Sequence, residues 1–140
     1  MDEAKLDWWP KLEDYDPKIS EAEWLELFKD RDIFNDNALE VMRCLLDYGG
    51  AATCKELAEA YGENYNFYNR NSSSLGERVH EKTGCPLCAE PPDKYWPILY
   101  DGKYAENKED GHFIWRLRPE LKSALTRMIV VKTKEMQLQG

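Results

Sequence analysis

An apolar stripe that stops at two adjacent glycines is the sequence feature that most constrains this fold. The stripe consists of Leu39, Met42, Leu45 and Leu46. This spacing places the four side chains on one face of a helix, which has to pack against a core. Asn35 or Asp36 can cap the start of that helix, and Gly49-Gly50 can end it. The sequence therefore predicts a core helix followed by a tight turn.

Two further helices are marked by capping boxes, in which a Ser or Thr is followed three residues later by Glu. Ser20 with Glu23 predicts a short helix over residues 21–30, and Thr53 with Glu56 predicts a helix that ends at Gly62. In this motif the hydroxyl and the carboxylate each accept a hydrogen bond from a backbone N–H that the helix leaves unpaired. Both helices carry apolar residues at helical spacing and are expected to dock on the core.

The segment after Gly62 is expected to be a loop followed by a fourth helix. Residues 63–71 are rich in Asn, which favours turns and disfavours helix. The serines at residues 72–74 can cap a helix over residues 73–82, with Leu75 and Val79 on its inner face. Gly84 and Pro86 then end this element.

Two aromatic and β-branched runs predict the strands of the fold. They cover residues 95–100 and 112–117, and the polar segment at residues 101–111 predicts a hairpin with a long tip. Pro119 then opens a last helix. The fold class expected from this order is α+β, mainly α. From residue 37 to 117 the order matches a winged helix-turn-helix domain, here with an extra N-terminal helix and a two-stranded β-hairpin wing.

The length of 140 residues is typical of one domain. We expect an N-terminal arm at residues 1–19, a single winged-helix-like domain at residues 20–135 and a frayed tail at residues 136–140. No stretch has the roughly 20 apolar residues that a membrane span needs, and the acidic start differs from a secretory signal. With only four cysteines, the chain is expected to be cytoplasmic and free of disulfides.

The charge of the chain bears on its partners. The formal net charge of −8 argues against a protein that coats nucleic acid through bulk electrostatics. The first 40 residues carry 13 acids and 5 bases, whereas the last 29 carry 2 acids and 6 bases. The chain therefore has an acidic front and a basic tail.

Several motifs are shared with known proteins. Residues 49–58, Gly-Gly-Ala-Ala-Thr-Cys-Lys-Glu-Leu-Ala, look like the entry to the second helix of many winged-helix regulators. More specific are Asn-Phe-Tyr-Asn at residues 66–69 with Ser-Ser-Ser-Leu at 72–75, Lys-Thr-Gly-Cys-Pro at 82–86, Trp-Pro-Ile-Leu-Tyr at 96–100, and Phe-Ile-Trp-Arg-Leu-Arg-Pro-Glu-Leu at 113–121. Together these motifs span roughly residues 15–127. They resemble a module near the N-terminus of bacterial AAA-type GTPases of modified-cytosine restriction systems and of related defence proteins.

This resemblance implies a target-recognition domain that is fused to a motor or works beside one. The chain itself contains no Gly-x4-Gly-Lys-Ser/Thr phosphate loop and no restriction nuclease motif. A metal site cannot be inferred from this resemblance, because the module has no counterpart of Cys88.

The candidate site residues follow from the way a winged helix binds DNA. The N-terminal turn of its third helix enters the major groove, where Arg reads guanine, Asn reads adenine and Ser binds phosphate. The residues of these types around the predicted fourth helix are Asn69, Arg70, Asn71, Ser72, Ser73 and Arg78. The basic residues expected to add phosphate contacts are Arg116, Arg118, Lys122 and Arg127. The leading hypothesis is a non-catalytic module that reads double-stranded DNA within a larger restriction, defence or regulatory complex, although Glu77 and Glu81 on the same helix oppose it.

Metal binding and catalysis are weighed against simpler interpretations. Cys85-x2-Cys88, with His80 upstream, has the spacing of half a zinc site, but the sequence lacks a matching second half. Neither His80 nor His112 stands beside a nucleophile in a recognisable motif. We therefore predict no metal, no cofactor and no enzymatic activity.

Two other functions remain open at this point. A winged-helix scaffold can serve as a protein-interaction adaptor, with the acidic front or the Trp8-Trp9 arm docked on a neighbour. Alternatively, the acidic surface could mimic DNA and inhibit a DNA-binding enzyme.

Overall fold

The computed structural model describes residues 8–88, 94–104 and 113–139. Within these ranges the chain combines helices with a small antiparallel sheet, so the predicted α+β class with mainly helical content is confirmed. The elements in chain order are α1 (Glu21–Leu27), α2 (Asp36–Asp47), β1 (Ala51–Thr53), α3 (Cys54–Tyr61), α4 (Tyr65–Thr83), a 3₁₀ helix (Trp96–Ile98), β2 (Tyr100–Tyr104), β3 (Phe113–Leu117) and α5 (Pro119–Gln139).

Local hydrogen bonds start the first three helices as the sequence predicts. The Ser20 hydroxyl accepts a hydrogen bond from the Glu23 N–H at 3.1 Å, and the Ser20 N–H donates to the Glu23 carboxylate at 3.2 Å. Thr53 and Glu56 form the same pair of hydrogen bonds at the start of α3. Asn35 caps α2 by accepting from a backbone N–H three residues later. Both predicted capping boxes are therefore confirmed.

The sheet contains one more strand than the sequence predicts. Its strand order is β1-β3-β2, and both pairings are antiparallel. β1 has only three residues, Ala51–Thr53, and it pairs Ala52 with Trp115. Alternation of polar and apolar residues needs about four or more residues to be recognised. A strand this short is defined by its partner β3 rather than by its own pattern.

The strand predicted at residues 95–100 is wrong in position. Trp96–Ile98 form a 3₁₀ helix, and β2 begins only at Tyr100 and continues to Tyr104, inside the predicted hairpin tip. Pro97 explains the difference, because its ring fixes φ and it has no N–H to donate to a strand partner. The rest of the predicted tip, residues 105–111, and His112 lie outside the described residues.

The core lies between the helices and one face of the sheet. Its largest fully buried side chains include Trp24, Phe34, Met42, Leu45, Leu57, Tyr68, Leu75, Leu121 and Leu125. Leu57, Leu75 and Leu121 show that α3, α4 and α5 all contribute to this core, as their apolar spacing predicts. None of the described helices is long and apolar enough to cross a membrane.

The arm, described here from residue 8 to 19, packs against the sheet edge. The Trp9 N–H donates to the Gly102 carbonyl at 2.7 Å, and the Gly102 N–H donates to the Trp9 carbonyl at 2.8 Å. The Trp9 and Trp96 rings meet edge to face with centroids 5.8 Å apart. Farther along, the Tyr15 hydroxyl donates to the Pro86 carbonyl at 2.6 Å. The arm is thus attached to the body by both backbone and side-chain contacts.

Candidate nucleic-acid interface

Helix α4 begins seven residues before the predicted cap, so the loop predicted at residues 63–71 is wrong. Asn64 caps the helix, and its side chain accepts a hydrogen bond from the Asn66 N–H at 2.9 Å. Tyr68 lies in the predicted loop but is fully buried, and its hydroxyl donates to the Gly62 carbonyl at 2.6 Å. Tertiary packing of Tyr68 therefore overrides the turn preference of the surrounding asparagines.

The continuous helix leaves a short connection between α3 and α4. Only residues 62–64 separate the two helices. Gly62 ends α3 with a positive φ of 88°, a conformation that glycine adopts without steric cost. The Gly62 N–H donates to the Ala58 carbonyl, which closes the last turn of α3. A connection of three residues containing glycine has the length found in helix-turn-helix units.

The outer face of α4 carries a polar stripe over its N-terminal half, here called the reading face. The reading face consists of Asn66, Asn69, Arg70 and Ser73. Asn66, Asn69 and Arg70 are exposed, and Ser73 is half-buried. Residues three and four apart lie on the same side of a helix, so these side chains are neighbours. No Asp or Glu occurs between residues 64 and 76, and the first acid on this helix is Glu77.

Three other candidates on α4 point inward or are held by backbone atoms. Ser72 is completely buried, and its hydroxyl lies 2.7 Å from the Tyr100 hydroxyl. The Asn71 amide donates to the Phe67 carbonyl at 2.8 Å. Arg78 is half-buried and donates from Nε to the Ile33 carbonyl at 2.9 Å. These side chains stabilise the position of α4, and we leave them out of the reading face.

The four basic candidates near the C-terminus are placed apart from the reading face. Tyr100 contacts α4 through Ser72, and it shares its side of the sheet with Leu117, its direct partner on β3. Side chains alternate between the two sides of a sheet, so Arg116, next to Leu117, lies on the side away from α4. Arg118 is only 5 % exposed and donates from Nε to the Pro97 carbonyl at 2.7 Å.

The remaining two basic candidates lie on α5. Arg127 is exposed and forms an ion pair of 3.4 Å with Glu21 of α1. Lys122 is exposed and lies against the turn at Gly50. The structure therefore places Asn69, Arg70 and Ser73 on one face of α4, whereas none of the four C-terminal bases belongs to that helix. Asn66 was not among the candidates predicted from the sequence. The available signal was Asn64, a residue type that can cap a helix beginning just before Asn66.

The half zinc site does not gather further ligands in the described part of the chain. The His80 Nδ1 lies 2.7 Å from the Cys85 carbonyl oxygen, and both Cys85 and Cys88 are buried free thiols. No three His, Cys, Asp or Glu side chains among the described residues are placed to hold a metal ion. Burial raises the pKa of the Cys85 thiol, which favours the protonated form over the thiolate that binds zinc.

Comparison with known proteins gives no match: no family model, no curated protein and no solved structure is significantly similar to this chain.

Proposed function

We propose that this chain is a winged-helix-like, non-catalytic DNA-recognition module whose reading face enters the major groove. The observation that carries the proposal is the reading face itself. It places two asparagines, one arginine and one serine on the outer side of the helix that follows a three-residue turn. These residue types match the hydrogen-bonding groups that DNA presents in its major groove.

The topology supports this proposal. Helix α2 is followed by β1, then by α3 and α4, and then by the β2–β3 pair, with β3 in the middle of the sheet. This is the order of a helix-turn-helix unit with an appended β-ribbon, in which the second helix of the unit binds the groove. The nine-residue loop expected at residues 63–71 would have been unusually long for such a domain, and a connection of three residues joins α3 to α4 instead.

Each side chain of the reading face has a specific role in the proposal. Arg70 has the fork of N–H donors that pairs with guanine O6 and N7, and Asn66 and Asn69 each have the donor and acceptor that pair with adenine. Ser73 is suited to a phosphate contact. The sequence motifs resemble those of modules from restriction systems. This resemblance suggests that the chain binds the DNA target and that a separate defence enzyme acts on it.

The decisive experiment compares the variants Arg70→Ala and Asn69→Ala with the unchanged protein in fluorescence anisotropy. The probes are a binding-selected duplex from a randomised pool, its cytosine-methylated form and its single strands. Loss of one base-reading side chain should cost about 1–3 kcal/mol, or roughly 5-fold to 150-fold in Kd. Because both side chains are exposed, the melting temperature should stay unchanged.

Arg31→Ala is the matched control. Arg31 is an exposed arginine outside α4 that pairs with Asp36. Its loss should leave DNA binding intact. Equal binding by the Arg70→Ala, Asn69→Ala and Arg31→Ala variants would exclude the reading face and would favour a protein-interaction role.

A further inference from the structure

A basic cleft lies on the side of the sheet that faces away from α4, separate from the reading face. Its volume is about 710 Å³, within the range of small-molecule sites in proteins. The arm forms one wall, the Gly49-Gly50 turn and the start of α5 form another, and Arg116 of β3 lies between them. The proposed DNA reading uses no residue of this cleft.

The cleft concentrates positive charge in a strongly acidic chain. Among the described residues, four basic side chains line it, Lys11, Arg116, Arg118 and Lys122, together with one acid, Asp101. Asp101 accepts two hydrogen bonds from Arg116, at 2.9 and 2.6 Å, so it neutralises that guanidinium. Within the described part of the chain, neither Lys11 nor Lys122 forms an ion pair. An excess of positive charge is thus left for a ligand.

The side chain of Lys122 packs against the glycine turn at the wall of the basic cleft. Gly50 has a φ of 93°, and the Lys122 Nζ lies 3.2 Å from the place that a Cβ on Gly50 would take. A side chain at residue 50 would therefore crowd the end of this lysine. Helix α5 begins at Pro119, which also lines the cleft, and the positive end of its dipole adds to the field of the two lysines.

The rest of the lining is apolar. Trp8 lies with its ring centroid 3.9 Å from the guanidinium carbon of Arg116. Leu12, on the same arm, is 67 % exposed, and Pro10 and Pro119 complete the apolar surface. A ligand that fits this lining combines a charged group with a flat or apolar part. A phosphate monoester supplies up to two negative charges, which matches the surplus of basic groups better than a single carboxylate does.

We infer that the basic cleft binds a phosphate monoester with an attached ring, of the size of a nucleoside monophosphate. Lys11 and Lys122 contact the phosphate, and the apolar wall around Trp8 and Leu12 holds the ring. The site is a binding site, and no covalent step is involved.

Isothermal titration of the full chain with AMP, adenosine and inorganic phosphate tests this inference. AMP should bind at least about tenfold more tightly than either of the other two, because only AMP satisfies both parts of the lining. Lys122→Gln and Lys11→Gln should each weaken AMP binding by roughly fivefold or more, the effect of losing one charge-assisted contact. Lys29→Gln is the matched control, since Lys29 is an exposed lysine of another region that pairs with Glu26, and it should bind AMP normally.

Three results would overturn the inference. These are the absence of AMP binding up to about 5 mM, equal binding of AMP by the two cleft variants and the control, and equal affinity for adenosine and AMP. Both lysines are exposed, so their replacement should leave the fold intact, and thermal melts of the variants check this. The outcome is independent of DNA binding, because Arg70→Ala should leave AMP affinity unchanged.

Discussion

Single residues in this protein take their chemistry from their surroundings, as the cysteines show. Burial raises the pKa of Cys54 to about 12. Burial also raises the pKa of Cys44 to about 11, with a further contribution from the negative charge of Glu40, whose carboxylate lies 3.6 Å from the Cys44 sulfur. The sequence places both cysteines on helices but does not show how far burial suppresses their ionisation.

The raised pKa values of Cys44 and Cys54 predict that both cysteines are alkylated slowly in the native protein, Cys44 before Cys54. Only the thiolate reacts, and at pH 8 a thiol of pKa 12 is ionised in about one molecule in 10⁴. Over pH 7–10 both thiolate fractions should rise about tenfold per pH unit, and at any one pH the fraction for Cys44 should be about ten times that for Cys54. Iodoacetamide labelling followed by peptide mass spectrometry across pH 7–10 measures both rates. Denatured protein is the control, and native rates as fast as the denatured ones would contradict the prediction.

At the scale of elements, α4 is held by a buried hydroxyl pair with the sheet and by a close contact with the chain just before the 3₁₀ helix. The hydroxyls of Ser72 and Tyr100 lie 2.7 Å apart, and the Tyr100 ring stacks on Trp115 with centroids 4.8 Å apart. Gly76 lets the chain at Tyr95 pass closely, since a Cβ there would lie 2.3 Å from the Tyr95 carbonyl oxygen. These contacts orient α4, so that the reading face points to solvent.

The hydroxyl pair gives a prediction on stability. Ser72→Ala leaves the buried Tyr100 hydroxyl without this partner and should lower the free energy of unfolding by about 1–3 kcal/mol. Tyr100→Phe should have a similar cost, and the double variant should cost clearly less than the sum, because both single changes break the same hydrogen bond. Urea denaturation of the four proteins measures this cycle. Strictly additive losses would show that the two hydroxyls do not depend on each other.

At the scale of the whole molecule, charge is segregated between surfaces. The net charge is −8, yet the reading face carries no acid, and the basic cleft lies on the far side of the sheet. The reading face itself carries one cation, Arg70. Such a surface would bind DNA mainly through hydrogen bonds to bases, with few phosphate contacts.

The salt dependence of DNA binding should therefore be shallow. With one cation on the reading face, few phosphates are neutralised, and the slope of log K against log salt concentration should be no steeper than about −2. Anisotropy titrations of the selected duplex at several salt concentrations measure this slope, and the Arg31→Ala variant should give the same value. A slope steeper than about −5 would contradict the prediction and would indicate a broad basic surface instead.

The starts of α1, α2, α3 and α5 and many core residues were predictable from the sequence. Ser20 with Glu23 and Thr53 with Glu56 act over three residues, and the stripe through Met42 and Leu45 repeats every helical turn. Signals of this kind depend only on near neighbours, so they can be read without knowledge of the fold. Asn69 and Arg70 were chosen as candidates by residue type, although the sequence analysis placed them in a loop and the structure places them on α4.

Only the tertiary structure decided which polar residues are available for binding. Ser72 is buried by Tyr100, Arg118 is held by Pro97, and Arg78 by Ile33, over separations of 28, 21 and 45 residues. The early start of α4 likewise depends on the burial of Tyr68, and the basic cleft on the meeting of the arm with α5. A polar side chain gives the same local pattern whether it faces water or a distant backbone carbonyl. Its exposure is set by residues that are remote in the sequence and close in space.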